Sequence, residues 1–450
     1  MRTVTILASA LVLLVLALPA LPQPLHVNQQ RLWSTLETLS EFGRPLGKGF
    51  EAGVSRLGFS EADLAAREYV ISLMRDAGLA VRIDPAGNIF GRREGADPSL
   101  PVLLFGSHID SVPGGGNFDG DVGSMGAIEV IRALNDHGVR TRHPLEVVIW
   151  THEEGSTFGH GLFGSSAASG QVKMDVLSRR DGEGKTLAEW LRRYAQDPAR
   201  LADARIPPGR IAAYLELHIE QGPRLDQNKT QIGVVQGIVG INDWMCTATG
   251  FANHAGTTPM DRRRDALLAA SRAALAVREE VRAHPGSEGK GTGRQVGTVG
   301  NMVVHPGGTN VVPGRVEFPV ELRDLDSAVI DSIWKKIQNR FAVIAREENV
   351  SLDCQLIFSA KPALTSPALR DIIRDSARAA GFSTLDLPSG AGHDAQQISY
   401  LAPVGMIFVP SRDGISHSPR EFTPPEDVAR GAEVLYRSVL ALDTRLPARP

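Results

Sequence analysis

Cysteine is nearly absent: only Cys246 and Cys354 occur in 450 residues. They form no closely spaced pair, which excludes the thiolate zinc motifs. An excess of one charge is also lacking. The formal net charge is −3, so no basic field argues for nucleic acid as a partner. Past the first 22 residues no apolar run is long enough to cross a membrane. Internal repeats and low-complexity segments do not occur. Metal chemistry, if present, must come from the 12 histidines and the carboxylates.

What is there fits a soluble globular chain, with 42% apolar and 22% charged residues. Its length favours two domains. Residues 1–22 stand apart: Arg2 precedes an apolar run over 4–18, then Pro19, Ala20, Leu21 and Pro22. This reads as a signal peptide and predicts an exported protein, periplasmic or secreted. An uncleaved N-terminal membrane anchor is the alternative.

Ser60 and Asp63 carry a capping-box pattern that opens a helix, and Gly78 closes it. Leu79, Val81 and Ile83 alternate as in a half-buried strand. Residues 102–105 and 147–150 are short unbroken apolar runs, as in strands buried on both faces. A helix over 122–137 separates them, so strand, helix and strand imply a parallel sheet with a right-handed crossover. After Gly222 the pattern changes. Strand 241–250, helix 262–283, strands 295–304 and 315–322, helix 326–348 and strand 352–358 follow one another. That β-α-β-β-α-β order is the ferredoxin-like plan. A helix over 367–380 and a strand over 404–409 then resume the first pattern. The expected architecture is α/β: a discontinuous catalytic domain, 26–222 and 360–450, with a mixed, mostly parallel sheet. A ferredoxin-like α+β lid and dimerisation domain, 223–359, is inserted in it.

Acids and histidines cluster where those strands end, which is where α/β folds place their sites. His108 and Asp110 lie in GSHIDS (106–111), directly after the first buried strand. One ring nitrogen of His108 can bind a metal while Asp110 accepts a hydrogen bond from the other. Asp119 follows a glycine run, and a carboxylate there has two oxygens for two ions. Glu153 and Glu154 end the second buried strand, where one acid can bind metal and the other act as base. His218, in ELHIEQG (216–222), and His417, in SHSP (416–419), supply further nitrogens.

With FDG (118–120), EEG (153–155), HAGTTPM (254–260), TNVVPG (309–314) and SGAGHDAQ (389–396), these motifs mark a family. The chain resembles the M20 metallopeptidase-like amidohydrolases, in the branch of N-carbamoyl-L-amino acid hydrolases and allantoate amidohydrolases (hydantoinase/carbamoylase). ELHIEQG and HAGTTPM point to this branch. The resemblance implies two divalent ions bridged by Asp119, one also held by His108 and His218, the other by Glu154 and His417. The donor set suits Zn²⁺, Mn²⁺, Co²⁺ or Ni²⁺. It implies Glu153 as general base and His254, on the inserted domain, as oxyanion donor. Asn310 and Arg323 become the clamp for a substrate carboxylate, and Gln221 and Gly392 further substrate contacts. Plainer alternatives exist. Arg323 can pair with Asp324 or Asp326, His254 can bond to backbone, and Asn310 can be a turn residue. Thr157 stands where the branch usually has arginine; Ser124, Met125 and Asp261 also depart from its pattern.

The expected function is therefore a di-metal hydrolase that cuts the C–N bond of N-carbamoyl (ureido) L-amino acids, releasing amino acid, CO2 and ammonia. Allantoate or ureidoglycolate are the alternative substrates, followed by N-acyl amino acids or dipeptides. An exported binding protein is the non-enzyme alternative, and Glu153 argues against it, since a binder needs no base. The resemblance further implies a homodimer formed through 223–359, with His254 reaching the site of the neighbouring subunit. In a ferredoxin-like sheet the strands of Cys246 and Cys354 are neighbours, so an exported chain can join them.

Overall fold

The computed structural model describes residues 26–159, 161–194, 196–285 and 295–446. The signal-peptide expectation over 1–22, and His160, lie outside the described residues. The chain first builds one half of a large sheet from β1 (Ala80–Ile83), β2 (Ile89–Arg93), β3 (Val102–His108), β4 (Leu145–Trp150), β5 (Ile211–Ile219) and β6 (Ile232–Ile238). It then builds the lid from β7 (Gly240–Thr249), β8 (Asn253–His254), β9 (Val296–Thr298), β10 (Val303–His305), β11 (Val311–Val312), β12 (Arg315–Asp324) and β13 (Ser351–Ala360). It returns with β14 (Ala363–Leu364), β15 (Thr384–Ser389) and β16 (Val404–Val409).

The large sheet has nine strands in the order β1-β2-β4-β3-β5-β16-β6-β14, with β15 also beside β6. Its centre is parallel: β3 pairs in parallel with β4 and β5, and β5 with β16. The unbroken apolar runs explain why these four sit in the middle. Along β3, Leu103 and Phe105 enter one core while Val102 and Leu104 enter the core on the opposite face. Side chains alternate across a strand, so only a strand covered on both sides can be apolar at every position. The helix Asp121–Asp136 makes the crossover from β3 to β4. Because the four central strands run the same way, their carboxyl ends meet at one edge.

The lid sheet has the order β10-β12-β7-β13, with β9 also on β12, and its pairs are antiparallel. That is the ferredoxin-like arrangement the element order predicts. Helices Ala266–Ala283 and Ser327–Glu347 cover one face. Ala266, Ala269, Ala270, Ala273 and Val277 form the buried stripe of the first, at helical spacing. Trp244 and Trp334 stack beneath the second at 3.9 Å.

Three boundaries differ from expectation. Residues 223–239 do not belong to the lid, because β6 pairs with β15 and β16 in the large sheet; the chain leaves that sheet at Gly240. The long helix begins at Ala266, since the Asp265 side chain accepts from the Leu267 and Leu268 N–H groups and so caps it there. The strand expected over 295–304 is split into β9 and β10, both on β12.

Cys246 and Cys354 face each other on β7 and β13 and are disulfide-bonded, with Cα atoms 4.1 Å apart. The bond spans 108 residues, and closing a loop of that size restricts the unfolded chain strongly. Thiol titration of the denatured, unreduced protein is expected to find no free thiol. Reduction should lower the stability of the lid by about 2–4 kcal/mol, read as an earlier thermal transition.

Candidate metal centre

His108 is the last residue of β3. Its Nδ1 lies 3.0 Å from the backbone carbonyl of Asp110. A carbonyl only accepts, so Nδ1 carries the proton and Nε2 presents its lone pair. His218 repeats the arrangement: Nδ1 is 2.9 Å from the Ile219 carbonyl. Both Nε2 atoms face one oxygen of Asp119, Oδ1, at 3.6 Å from His108 and 3.1 Å from His218. The other oxygen, Oδ2, lies 3.1 Å from Nε2 of His417, which is itself 3.5 Å from Glu154 Oε2. Two ligand triads result, His108–Asp119–His218 and Asp119–Glu154–His417, each with donor atoms within 4.8 Å of one another. The five residues proposed as ligands thus converge, with Asp119 common to both groups. Gly120 makes the approach possible: its φ is +67°, and a Cβ there would collide with the His108 ring.

Electrostatically the cluster is crowded with buried acids. Burial pushes Glu153 well above the usual carboxylate range, and repulsion from Asp394 and Glu154 adds to it. Glu154 is raised well above it too, by burial and by Asp119. Burial lifts Asp110 to about 7, helped by Asp63, and Glu421 to about 7, helped by Asp119. Asp119 moves the opposite way, because its bonds to His218 and His417 outweigh its burial. Burial lowers His108 to about 4. Burial also works against a charge on His218, but Asp119 overrides it and raises that ring to about 9. Oε1 of Glu154 is buried without a hydrogen-bond partner. Excess negative charge, an orphaned carboxylate oxygen and imidazole lone pairs aimed at shared points fit divalent cations of the zinc and first-row type.

Glu153 lies beside this cluster, its Oε2 3.9 Å from His108 Nε2. Asp110 departs from the role expected of it. Its carboxylate is 3.8 Å from His108 Nδ1 and instead accepts the backbone N–H groups of Glu153, at 3.0 Å, and Glu154, at 3.2 Å. It holds the peptide that carries both glutamates; its own carbonyl orients the histidine. Gln221 donates to Asp119 Oδ2 at 2.6 Å. Gln221, Arg323 and Gly392 line a cavity of about 270 Å³ together with the five clustered residues and Glu153. Arg323 pairs neither with Asp324 nor with Asp326. Its Nε and Nη2 donate to Glu321 at 2.7 and 2.9 Å, and its Nη1 to the Gly390 carbonyl at 2.9 Å.

His254 and Asn310 are not brought to the cavity. His254 pairs with Val311 across the small β8–β11 sheet, and its Nδ1 accepts the Gly256 N–H at 3.1 Å. Both residues are exposed. They sit beyond the Arg315 end of β12, whereas Arg323 is at the opposite end, roughly 26 Å away at 3.3 Å of rise per residue.

The sequence pattern of Peptidase family M20/M25/M40 matches residues 104–441. The chain belongs to that family. Among M20 relatives, the N-carbamoyl-L-amino acid amidohydrolase of Geobacillus stearothermophilus is 44% identical over 92% of this chain and 99% of its own length. The allantoate amidohydrolase of Escherichia coli is 34% identical over 90% of this chain and 96% of its own. A hydantoinase/carbamoylase-family amidase from Burkholderia multivorans superposes with a TM-score of 0.84 at 40% identity, covering 92% of this chain and 98% of that one. As an M20 member the protein is a metal-dependent hydrolase of C–N bonds.

Several residues that shape this M20 site escaped the sequence reading. Glu421 Oε1 accepts the N–H groups of Phe118 at 3.0 Å and Asp119 at 3.1 Å, and its Oε2 accepts Ser416 Oγ at 2.7 Å. It therefore ties the Asp119 loop to the His417 loop. Ser124, noted only as a departure, donates to the His108 carbonyl at 2.6 Å. Thr157, another departure, donates to the Gly58 carbonyl at 2.7 Å. Arg56, fully buried, pairs with Asp121 and donates to the Ile109 carbonyl at 2.5 Å. The acid after SHSP was the one available signal, three positions on from Ser418.

Asp119 raises His218 to about 9, which favours a second proton on Nε2 at neutral pH, and a ligand nitrogen must give that proton up. Apparent cation affinity is therefore expected to rise with pH up to about pH 9 and to flatten above. Calorimetric titration near pH 7 in buffers of different ionisation enthalpy counts the released protons. Uptake without proton release would remove His218 from the ligand set.

Proposed function

We propose that the protein hydrolyses N-carbamoyl-L-amino acids, releasing the amino acid, carbon dioxide and ammonia. One observation carries the reading: Arg323 stands on the wall of the cavity that holds both triads and Glu153. A guanidinium has five N–H donors. Glu321 takes the Nε/Nη2 side and Gly390 one proton of Nη1. One proton each on Nη1 and Nη2 remains, and that end-on fork fits a carboxylate with two parallel bonds. A small acid bound there carries its ureido group toward the triads. The 44% identical relative bears the name of this activity. Allantoate or ureidoglycolate is the second reading, favoured by the allantoate amidohydrolase relative.

The chemistry follows from the residues. The two triads would hold two divalent cations, zinc or else manganese, cobalt or nickel, which polarise the carbonyl and acidify a water when bound. Glu153, with its raised proton affinity, takes a proton from the attacking water and passes it to the leaving amino-acid nitrogen. The C–N bond breaks, and the carbamic acid released falls to CO2 and ammonia. Asp110 keeps the Glu153 peptide in place. The roles of Gln221 and Gly392 are to line the path of the substrate beside Asp119 and Arg323.

His254 and Asn310 complete the site only from another subunit, since they lie at the far end of their own lid. The lid's edge strand β13 exposes Leu356, Ile357 and Phe358, a surface suited to pairing with its copy in a two-fold dimer. Export rests on residues 1–22 and on the Cys246–Cys354 disulfide, which suits an oxidising compartment.

Ammonia release is expected from N-carbamoyl amino acids in the presence of metal, and a panel of ureido acids, N-acyl amino acids and dipeptides tests this. Glu153→Gln should keep its metals and lose turnover by about 10²-fold or more, whereas Glu154→Gln should bind less metal. The reverse outcome, read by metal analysis, would exchange the two roles. For the shared site, Glu153→Gln and His254→Ala chains are each expected to be inactive. Refolded together, they should regain activity, because one site of the heterodimer is then intact. A heterodimer that forms and stays inactive places His254 outside the partner's site.

A further inference from the structure

Beside the cavity at the triads lies a second, outer chamber of about 500 Å³. The two share Gln221, Arg323, Ala391 and His417 as common wall. We propose that the outer chamber receives the side chain of the substrate amino acid and selects for large apolar or aromatic ones. The proposal rests on the carbamoyl reading above.

The argument begins with the shape of the substrate. Three groups leave the α-carbon of an N-carbamoyl amino acid: the ureido nitrogen, the carboxylate and the side chain. The ureido group must enter the inner cavity, because Glu153 and the triads are there. The carboxylate goes to Arg323, which stands on the wall common to both spaces. The α-carbon is then held at that wall, and the third group has the outer chamber beside it. A space of 500 Å³ lies within the range of small-molecule sites, and it far exceeds what a hydrogen or methyl would fill.

The chemistry of its wall sets the class. Val239, Val296 and Pro388 form the apolar side. Val239 is only 2% exposed and Val296 is 46% exposed, so the second reaches furthest into open space. Glu220 and Arg224 also border the chamber, and both carboxylate oxygens of Glu220 are engaged by backbone, Oε1 with the Arg224 N–H at 2.8 Å and Oε2 with the Leu225 N–H at 2.7 Å. An apolar group entering here strips no water from an unsatisfied carboxylate. Val296 is also the cross-strand partner of Arg323 on β9 and β12, and facing residues of a strand pair share one side of the sheet. Clamp and apolar wall therefore belong to one rigid surface of the lid. The opposite wall, with Val239 and Pro388, belongs to the large sheet and its loops. Movement of the lid sets the width of the chamber and the position of the carboxylate together.

The test is the ratio of kcat/KM for N-carbamoyl-L-phenylalanine to that for N-carbamoylglycine, with ammonia as readout. The wild-type ratio should exceed about ten, since burying an apolar group of even one methylene in a fitted pocket is worth about tenfold or more. Val296→Trp, at a half-exposed position that tolerates bulk, fills the chamber and should lower the ratio by about tenfold. Val296→Ala widens it and should raise relative turnover of N-carbamoyl-L-tryptophan over N-carbamoyl-L-phenylalanine. Because each readout compares two substrates on one variant, a general loss of folded enzyme cancels. A ratio that Val296→Trp leaves within about twofold, or a wild-type preference for the glycine compound, overturns the chamber while the carbamoyl reading stands. Absence of turnover on every N-carbamoyl amino acid overturns both.

Discussion

One carboxylate organises this molecule. Asp119 offers Oδ1 to His108 and His218 and Oδ2 to His417, so both triads exist only while that side chain keeps one orientation. Much of the surrounding structure can be read as the means of holding it. Glu421 grips the Asp119 N–H, Ser416 and Gln221 reach Oδ2, and Gly120 leaves room for the His108 ring. The arrangement is electrostatically unfavourable without cations. Glu153, Glu154, Asp110 and Glu421 all show raised proton affinity because they are buried near one another or near Asp119. Binding charge of the opposite sign relieves such a cluster.

The large sheet supplies the rigidity that this carboxylate needs. β3, β4, β5 and β16 run parallel with both faces buried. Residues at their ends inherit the precision of the ladder. His108 is within β3 and His218 within β5, while Glu153 and Glu154 follow β4 after three or four residues. Loops then contribute what a ladder cannot: His417 adopts a left-handed φ of 53° and Gln221 one of 56°, conformations that turn each side chain toward Asp119.

Much of this was legible in the sequence, and the reasons for the gaps are physical. Apolar runs without alternation identified the central strands, since only a doubly covered strand can afford them. The order of elements after Ile241 identified the ferredoxin-like lid and put the two cysteine strands side by side. Local pattern failed where the deciding contact was distant. The grip of Glu421 on Asp119 spans 302 residues, and the pairing of Arg56 with Asp121 spans 65; no periodicity encodes either. β6 was assigned to the lid for the same reason, because its partners β15 and β16 come more than 140 residues later in the chain. Asp110 shows a subtler limit: carbonyl and carboxylate of one residue are both acceptors, and spacing alone does not say which one meets His108.

The way the lid is attached has a mechanical consequence. Its first and last strands leave and rejoin the large sheet side by side, with Ile241 opposite Ala360. A few residues along the same pair, the Cys246–Cys354 bond pins the two strands together. The tether is therefore a ribbon riveted near its root. Sliding one strand along the other is blocked, while flexing of the ribbon as a whole is not. That attachment favours the swing of a door on a single leaf hinge, toward or away from the two triads, over a sideways skid past them.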